Sequence, residues 1–327
     1  MWTDVAEKIR VHQNFVLTTH INPEGDAIGS EIALAAFFEG LGKNVTIMNS
    51  SPTPQNSVFM DTGNRIKVYS ENYDAKVVDG ADIIMILDVN NWAHVGPFAD
   101  VIRASGKTTI CIDHHQGAEN GFADIMVNDT SAAAAGMMIY DLIRHMRGEI
   151  TPEIATAVYA SIITDTGTFR FSNTDERVFQ MATELTRVGV DPFSIHRQVF
   201  AKTSAAVRLL GAVLNTLGST PDGKLAWIHA TRDMFENAAA DYEDSDGLLD
   251  IVRSTKGVEF CLFFKELPDG NVKVSLRSNG KVDVYEIAKS YGGGGHRMAS
   301  GMSLDGPIEK AIHSVIEACT RRHIPKK

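Results

Sequence analysis

The first cluster of chemically reactive side chains follows a short apolar run over residues 15–19. His20, Glu24 and Asp26 stand within seven residues of one another, and a proline and a glycine between them favour a turn. An imidazole beside carboxylates is a ligand set that suits Mn²⁺ and similar divalent ions. The same segment fits a polar turn in which Asp26 caps a helix, so by itself it leaves both interpretations open.

Two later apolar runs end in the same types of residue. Asp88 follows the run over residues 83–87, and Asp113, His114 and His115 follow the next one. An Asp after a strand is common turn chemistry. The carboxyl ends of parallel strands, however, meet at one edge of a sheet, where such sheets bind ligands. The three occurrences of the pattern therefore indicate one site.

A further acidic residue, Asp165, stands where an apolar helical pattern ends. Alone it would be interpreted as a helix-end or Asx-turn residue. Clustering four carboxylates without partners would raise their pKa values. Two divalent cations would balance the charge, with His20 and His114 as neutral donors, and two-metal sites of this kind hydrolyse phosphoryl and phosphodiester bonds. The four carboxylates are those of Glu24, Asp26, Asp88 and Asp165.

The elements that must position these residues alternate short apolar runs with helical patterns. This alternation predicts an α/β fold with a mainly parallel sheet flanked by helices. We expect strands over 15–19, 45–48, 83–87 and 108–112, and helices over 29–41, 131–145, 152–164 and 175–188. Ser131 and Asp175 are the predicted N-caps of two of these helices.

A change of pattern near residue 190 predicts a second, smaller α+β domain. A helix over about 205–217 is followed by the turn-forming residues 218–223, strands over 225–230, 258–264 and 272–276, and helices near 232–240 and 308–319. We expect a catalytic domain at 1–190, a helical linker at 191–221 and a substrate-binding domain at 222–327, with the active site in the cleft between domains.

The motifs carry a family resemblance. His20-x-Asn22-Pro23-Glu24-Gly25-Asp26-Ala27-x-Gly29-Ser30, Asp88, Asp113-His114-His115 and Asp165-Thr166-Gly167 look like the four motifs of the DHH phosphoesterase superfamily. This superfamily includes RecJ exonucleases, manganese-dependent pyrophosphatases, cyclic-dinucleotide phosphodiesterases and nano-RNases. The stretch from Gly292 to Gly301 resembles the glycine-rich motif of the DHH-associated C-terminal domain. Size and motif order make the chain similar to bacterial nano-RNases that also act as 3′-phosphoadenosine 5′-phosphate phosphatases.

The resemblance implies a role for each motif residue. One of two Mn²⁺ ions, or other divalent ions, would be held by His20, Glu24, Asp88 and Asp165, and the second by Asp26, Asp88 and His114. His115 would face the substrate phosphate, and Asp113 would orient a histidine from behind. The family usually has Asp where this chain has Glu24. The additional methylene puts the geometry and occupancy of the first metal site in question.

The second domain is expected to hold the rest of the substrate. Glycine exposes backbone N–H groups that suit a phosphate, and the resemblance makes a phosphate or nucleotide cradle of Gly293, Gly294, Gly295 and His296. Strand alternation places Lys273, Ser275 and Arg277 on one face. Arg277 resembles the family's phosphate-binding arginine, whose planar fork suits a terminal phosphate. Arg170 is either a substrate contact or a packing residue.

Composition restricts the partners. The 327 residues include 31 Lys and Arg against 41 Asp and Glu, a net charge of −10. A protein that binds long nucleic acid through counterion release needs a basic surface. The acidic total charge therefore argues against long nucleic acid as a ligand and leaves short phosphorylated compounds as candidate substrates. The region 271–297 is locally basic, with five basic and two acidic residues. Three cysteines without paired spacing, no signal-peptide pattern and no apolar stretch of membrane length favour the cytoplasm. The sequence leaves open whether the protein forms a homodimer.

These features favour a Mn²⁺-dependent phosphoesterase that hydrolyses short 5′-phosphorylated oligonucleotides, with 3′-phosphoadenosine 5′-phosphate as a further candidate substrate. A soluble phosphodiesterase for linear or cyclic dinucleotides is the alternative within the same chemistry. A non-catalytic nucleotide-binding module would require a damaged ligand set, and only Glu24 departs from the family pattern.

Overall fold

The structure is a computed structural model that describes residues 1–70 and 75–323. The chain divides into two compact units, Met1–Ala201 and a second one that begins at Lys202. The finer division into catalytic domain, linker and substrate domain stays a prediction. None of the helices in the described ranges is long and apolar enough to cross a membrane.

The first unit is an α/β structure. Its elements are α1 (Thr3–Val11), β1 (Asn14–Thr18), α2 (Gly25–Gly40), β2 (Asn44–Asn49), β3 (Ile66–Val68), α3 (Ala75–Gly80), β4 (Ile83–Leu87), α4 (Trp92–Val95), α5 (Phe98–Ser105), β5 (Thr108–Asp113), β6 (Ile125–Asn128), α6 (Ala135–His145), α7 (Pro152–Asp165), α8 (Glu176–Val188) and α9 (Pro192–Phe200), with a 3₁₀ helix at Val58–Met60.

The six strands of this unit form one parallel sheet, which confirms the predicted fold class. Their order is β3-β2-β1-β4-β5-β6, so the direction of winding reverses between β1 and β4. Doubly wound sheets bind ligands at this switch point, outside the carboxyl ends of the strands. Thr18 pairs with Ile86 in the register of β1 and β4. The residues that follow these two strands therefore emerge side by side.

Both faces of the parallel sheet are covered, which explains why its strands read as unbroken apolar runs. Leu17 and Met85 pack with residues of α2, α6 and α7 on one face. Val16 and Ile84 pack with residues of α3, α4 and α5 on the other. Successive side chains of a strand point to opposite faces, so a strand covered on both sides needs an apolar residue at every position.

Small residues let α2 approach α7 closely. A Cβ atom at Gly29 would overlap the carbonyl oxygen of Ala157, and one at Gly25 would overlap the side chain of Thr164. A side chain at Gly29 would meet the backbone of α7 and require the helices to move apart, whereas one at Gly25 would require the side chain of Thr164 to move. The contact sets the start of α2, which carries Asp26, against the end of α7.

The second unit has a mixed sheet. Its elements are α10 (Ser204–Leu214), β7 (Gly218–Ser219), β8 (Leu225–Ala230), α11 (Arg232–Ala238), α12 (Leu248–Arg253), β9 (Phe260–Glu266), β10 (Val272–Ser278), α13 (Val284–Lys289), β11 (Gly294–His296), β12 (Ala299–Leu304) and α14 (Ile308–His323), with a 3₁₀ helix at Tyr242–Ser245. The strand order is β11-β12-β10-β9-β8-β7. The β8–β9 pair is parallel and the other pairs are antiparallel.

The predicted N-cap at Ser131 is wrong. The helix there, α6, begins at Ala135, and its N-cap position is Ala134, which has no side-chain hydrogen bond. Ser131 instead bonds to Asp129 through both its backbone and its hydroxyl group, at 3.0 and 2.6 Å. The predicted cap at Asp175 is confirmed, because its carboxylate accepts from the N–H of Val178.

The glycine run over residues 292–295 is part turn and part strand. Gly292 has a positive φ of 76° and belongs to a turn, but Gly294 already begins strand β11. A Cβ at Gly293 or Gly295 would overlap the backbone of the neighbouring strand β12. Glycine is therefore needed here for close strand approach as well as for turning.

Candidate metal centre

Asp88 lies at the centre of the candidate site. It follows β4 directly and has a φ of 58°, a backbone conformation that few residues other than glycine adopt. Its carboxylate is buried. Oδ2 lies 3.7 Å from Nε2 of His20, and Oδ1 lies 3.3 Å from Nε2 of His114 and 3.6 Å from Nδ1 of His115. One carboxylate thus faces three imidazole rings that follow the neighbouring strands β1 and β5.

His114 shows the converse arrangement. Its Nε2 lies 3.3 to 3.6 Å from carboxylate oxygens of Asp26, Asp88 and Asp165. Its Nδ1 lies 3.1 Å from the carbonyl oxygen of Ala132. A carbonyl oxygen can only accept, so Nδ1 carries a proton, and in the neutral ring Nε2 presents its lone pair to the three acids.

Two atoms of this cluster are buried polar atoms without a hydrogen-bond partner among the described residues. They are Nε2 of His114 and Oδ1 of Asp88. Buried polar atoms are rarely left unsatisfied, and a bound ion is one explanation for such cases. A cation between the ring and the carboxylates would satisfy both atoms.

The donor atoms form two overlapping groups, each with all atoms within 4.8 Å of one another. One group is Asp88, His114 and His115, and the other is Asp26, His114 and Asp165. A mixed set of imidazole and carboxylate donors fits Mn²⁺ and other divalent first-row ions. The residues therefore fit a divalent metal centre.

Asp26 is fixed by a dense set of hydrogen bonds. Its carboxylate accepts from the N–H groups of Ala135 and Gly136, at 2.7 and 3.0 Å, and from the hydroxyl groups of Ser161 and Ser30, at 2.5 and 3.3 Å. The two N–H groups open helix α6, so Asp26 does cap a helix, but a different one from its own. Capping and metal binding are thus compatible for this residue.

Asp113 holds the ring of His115 in place. Its Oδ1 accepts from Nδ1 of His115 at 2.8 Å, and its Oδ2 accepts from the His115 N–H and from the side chain of Asn128, both at 3.0 Å. Asp113 is completely buried, whereas the side chain of His115 is 50% exposed. The ring is therefore oriented from behind and presents its other edge outward.

His20 and Glu24 stand at the margin of the cluster. Nδ1 of His20 lies 2.8 Å from the carbonyl oxygen of Ile21, which directs Nε2 toward Asp88. Glu24 is exposed, and within the described residues its side chain makes no hydrogen bond or ion pair and joins neither donor group. The predicted sharing of ligands between two ions stays a prediction.

The pKa shifts reflect the crowding of charge. Burial would lower the pKa of His114, but the surrounding carboxylates, Asp88 foremost, raise it to about 10. Burial and the charge of Asp88 raise the pKa of Asp26, and burial and the charge of Asp26 raise that of Asp165. Burial also opposes ionisation of Asp88, yet His114 and His20 hold its pKa at about 2. Protons and cations therefore compete here, and metal affinity rises with pH.

The turn after Asp165 has an uncommon backbone. Gly167, Thr168 and Phe169 have consecutive positive φ values of 54°, 61° and 63°. A Cβ at Gly167 would overlap the ring of Phe171, so glycine is required there. Arg170, which follows this turn, lines a cavity together with Thr168 and two residues of helix α9.

The predicted substrate residues of the second unit lie together on its sheet. Across β10, β12 and β11 one row contains Arg277, Ala299 and His296, and the row two residues away contains Ser275, Gly301 and Gly294. Residues two apart on a strand share a face. The rows place Arg277 and His296 about 10 Å apart, because strands are spaced by about 4.8 Å. The glycine row leaves a recess beside them.

Comparison with known proteins agrees with this architecture. Residues 14–162 match the family described as "DHH family, N-terminal domain", and residues 229–321 match the DHHA1 domain. The bifunctional oligoribonuclease and PAP phosphatase NrnA of Thermus thermophilus is 34% identical over 316 residues, which cover 96% of this chain and 92% of that protein. The chain belongs to the DHH family.

Two solved structures resemble this chain over nearly all of its length. An exopolyphosphatase-related protein from Bacteroides fragilis has a TM-score of 0.93 at 28% identity, covering 98% of this chain and 95% of that one. Exonuclease RecJ bound to manganese has a TM-score of 0.56 at 14% identity, covering 98% of this chain and 94% of that one. The second likeness shows the fold alone.

Proposed function

We propose that this DHH-family protein is a Mn²⁺-dependent phosphoesterase that hydrolyses short 5′-phosphorylated oligonucleotides and 3′-phosphoadenosine 5′-phosphate. The observation that carries the proposal is the reciprocal cluster in which Asp88 faces three imidazoles and His114 faces three carboxylates. The name of the Thermus thermophilus relative supports the choice of substrates.

We assign the metal ligands to the residues of this cluster and its margin: His20, Glu24, Asp26, Asp88, His114 and Asp165. Bound divalent ions would polarise a phosphoryl oxygen and activate the attacking water. The carboxylates supply a negative charge that two such ions neutralise. Asp113 keeps the Nδ1 proton of His115 engaged, so the opposite edge of the ring is free to contact the substrate phosphate.

The second unit is proposed to bind the remainder of the substrate. The guanidinium of Arg277 has one hydrogen bond among the described residues, to the carbonyl oxygen of Leu276, so its other donors are available to a phosphate. The surface that contains Ser275, His296 and Gly293–Gly295 lies in the locally basic stretch of the chain. Holding the remote phosphate there would orient the scissile bond.

A substrate panel tests the proposed function. Purified protein with Mn²⁺ should release mononucleotides from 5′-phosphorylated di- to pentanucleotides and phosphate from 3′-phosphoadenosine 5′-phosphate, and chelation should stop both reactions. Higher turnover on cyclic than on linear dinucleotides would instead favour a cyclic-dinucleotide phosphodiesterase. Binding of these compounds without any turnover would contradict the proposal and favour a binding module.

A further inference from the structure

A cavity of about 370 Å³ lies in the first unit, outside both donor groups. Four side chains line it: Thr168, Arg170, His196 and Phe200. Its size falls within the range of small-molecule sites. The two halves of its wall come from the turn after Asp165 and from helix α9, and the metal centre uses neither half.

The α9 side of the cavity is aromatic. His196 and Phe200 are four residues apart, which places them side by side on a helix. Their ring centroids lie 4.9 Å apart with a tilt of 43°. Phe200 is 37% exposed, so part of its ring is open to a ligand. Exposed aromatic rings of this kind stack nucleobases in proteins that bind single-stranded nucleic acid.

The other side of the cavity is cationic. Nε of Arg170 donates to the carbonyl oxygen of Gly167 at 2.6 Å, which fixes the plane of the guanidinium. Within residues 1–70 and 75–323 no hydrogen bond or ion pair engages its two terminal nitrogens. These donors therefore remain for an anion, and a planar fork of N–H groups suits a phosphate.

The cavity lies near the metal centre along the chain. Arg170 is five positions after Asp165 in the chain, which limits their Cα distance to roughly 17 Å even at full extension. The segment is more compact than that, because the N–H of Arg170 donates to the carbonyl oxygen of Thr166 at 2.9 Å. The uncommon backbone of residues 167–169 holds this geometry, and such conformations are concentrated at ligand-binding sites.

We infer that this cavity binds one nucleotide of the oligonucleotide substrate, with the base against Phe200 and His196 and a phosphate at Arg170. The inference rests on the proposed function and specifies where a nucleotide other than the one held at Arg277 is recognised. Stacking would tolerate any base, since every base has a π face.

The test measures equilibrium binding of a 5′-phosphorylated dinucleotide that contains 2-aminopurine, whose fluorescence is quenched by stacking. Phe200→Ala should weaken binding at least about fivefold, the lower end for loss of one base–aromatic stack, and reduce the quenching. Phe200→Tyr keeps the ring and should restore both. Phe193→Ala is the matched control, because Phe193 lies on the same helix, is 70% exposed and does not line the cavity.

The salt dependence of the same binding tests the phosphate contact. Arg170→Gln should make the dependence of log affinity on log salt concentration less steep, because one charge–charge contact with the substrate is lost. Phe200→Ala should not change that slope. An unchanged slope in Arg170→Gln would remove the phosphate contact from the inference.

Two failures can be told apart. If the wild-type protein hydrolyses the dinucleotide but Phe200→Ala binds it as tightly as Phe193→Ala does, the cavity is not a nucleotide subsite and only this inference is wrong. If the wild-type protein neither binds nor hydrolyses the dinucleotide, the proposed function is wrong, and this inference is wrong with it.

Discussion

The two units present their candidate residues in opposite ways. In the first unit, Asp26 and Asp88 are 2% and 5% exposed and are held by backbone and side-chain partners. In the second unit, Gly294, Gly295 and His296 are exposed on the edge strand of a mixed sheet. Fixed, buried groups suit a reaction whose geometry must not vary. An open surface rich in backbone donors suits substrates that differ in base and length.

Topology accounts for this difference. Parallel strands need crossover connections, so helices and loops cover the ends of the first sheet and shield Asp88 and His114. The β11–β12 hairpin needs only a short turn and leaves one edge uncovered. We therefore expect substitutions in the first unit to change metal content and turnover, and those on the second sheet to change substrate affinity.

Asp88→Asn should have the largest effect. The amide cannot supply the charge that faces three imidazoles, so we expect turnover below detection and loss of bound Mn²⁺. Metal analysis of the dialysed protein, with phosphodiesterase assays, measures both. Full metal content with full activity would contradict the assignment of this site as the metal centre.

Arg277→Ala should raise the KM for 5′-phosphorylated dinucleotides by about 10- to 100-fold, the effect of losing hydrogen bonds to a charged group. Metal content should stay at the wild-type level, because Arg277 belongs to the other unit. Lys273→Ala is the matched control, since it shares the face of β10 but lies farther from His296. Equal effects of the two substitutions would contradict a specific role for Arg277.

Glu24→Asp should change kcat/KM by less than about threefold, because a divalent ion accepts either carboxylate. Glu24 is exposed, and its side chain has no hydrogen bond or ion pair within the part of the chain that the structure describes, so a side chain of either length can be accommodated. Titration of activity with Mn²⁺ checks this. A tenfold change would show that the length of this carboxylate sets the occupancy of the first metal position.

Glu31→Gln should affect stability more than activity. Glu31 is completely buried on α2, and burial raises its pKa to about 8 although it accepts a 2.8 Å hydrogen bond from Asn49. Between pH 4.5, the ordinary pKa of a glutamate, and pH 8, the folded protein thus keeps a proton on Glu31 that the unfolded chain releases. The stability linked to this proton is complete below pH 4.5 and is lost as the pH rises through 8.

The glutamine amide does not titrate, and it can donate to Oδ1 of Asn49, which has no hydrogen-bond partner among the described residues. The free energy of unfolding of Glu31→Gln should therefore exceed that of wild type by an amount that grows between pH 5 and 9 and reaches on the order of a few kcal/mol. Urea unfolding at several pH values measures this, with Glu7→Gln at an exposed position of α1 as the control. A constant difference across this range would contradict a buried protonated acid.

Much of the first unit could be predicted from local signals. β4 matches its predicted span, and β1 and β5 differ by one residue at their ends, because strands covered on both faces must be apolar throughout. The acidic and imidazole residues that follow them then had to meet at one edge. The edge strands β3 and β6 were missed, since they are short and half-buried.

The features that the sequence did not predict depend on distant contacts. Asp26 caps α6 across 109 residues of chain, and no local pattern near Ser131 reveals that partner. His196 and Phe200 showed only an i, i+4 spacing on α9, which is typical of ordinary helix packing. The cavity that they line is completed by Thr168 and Arg170, which come from a turn elsewhere in the sequence.

The close contact between α2 and α7 at their glycines also affects the size of the ion that the candidate metal centre could hold. Asp26 and Asp165 stand on these two helices, and Gly25 and Gly29 determine how near the helix axes can come. A methyl group at Gly29 would find room only if the helices separated, which would widen the space between the two carboxylates without changing any donor. In the proposed metal centre, helix spacing would therefore influence which ion fits, in addition to ligand chemistry.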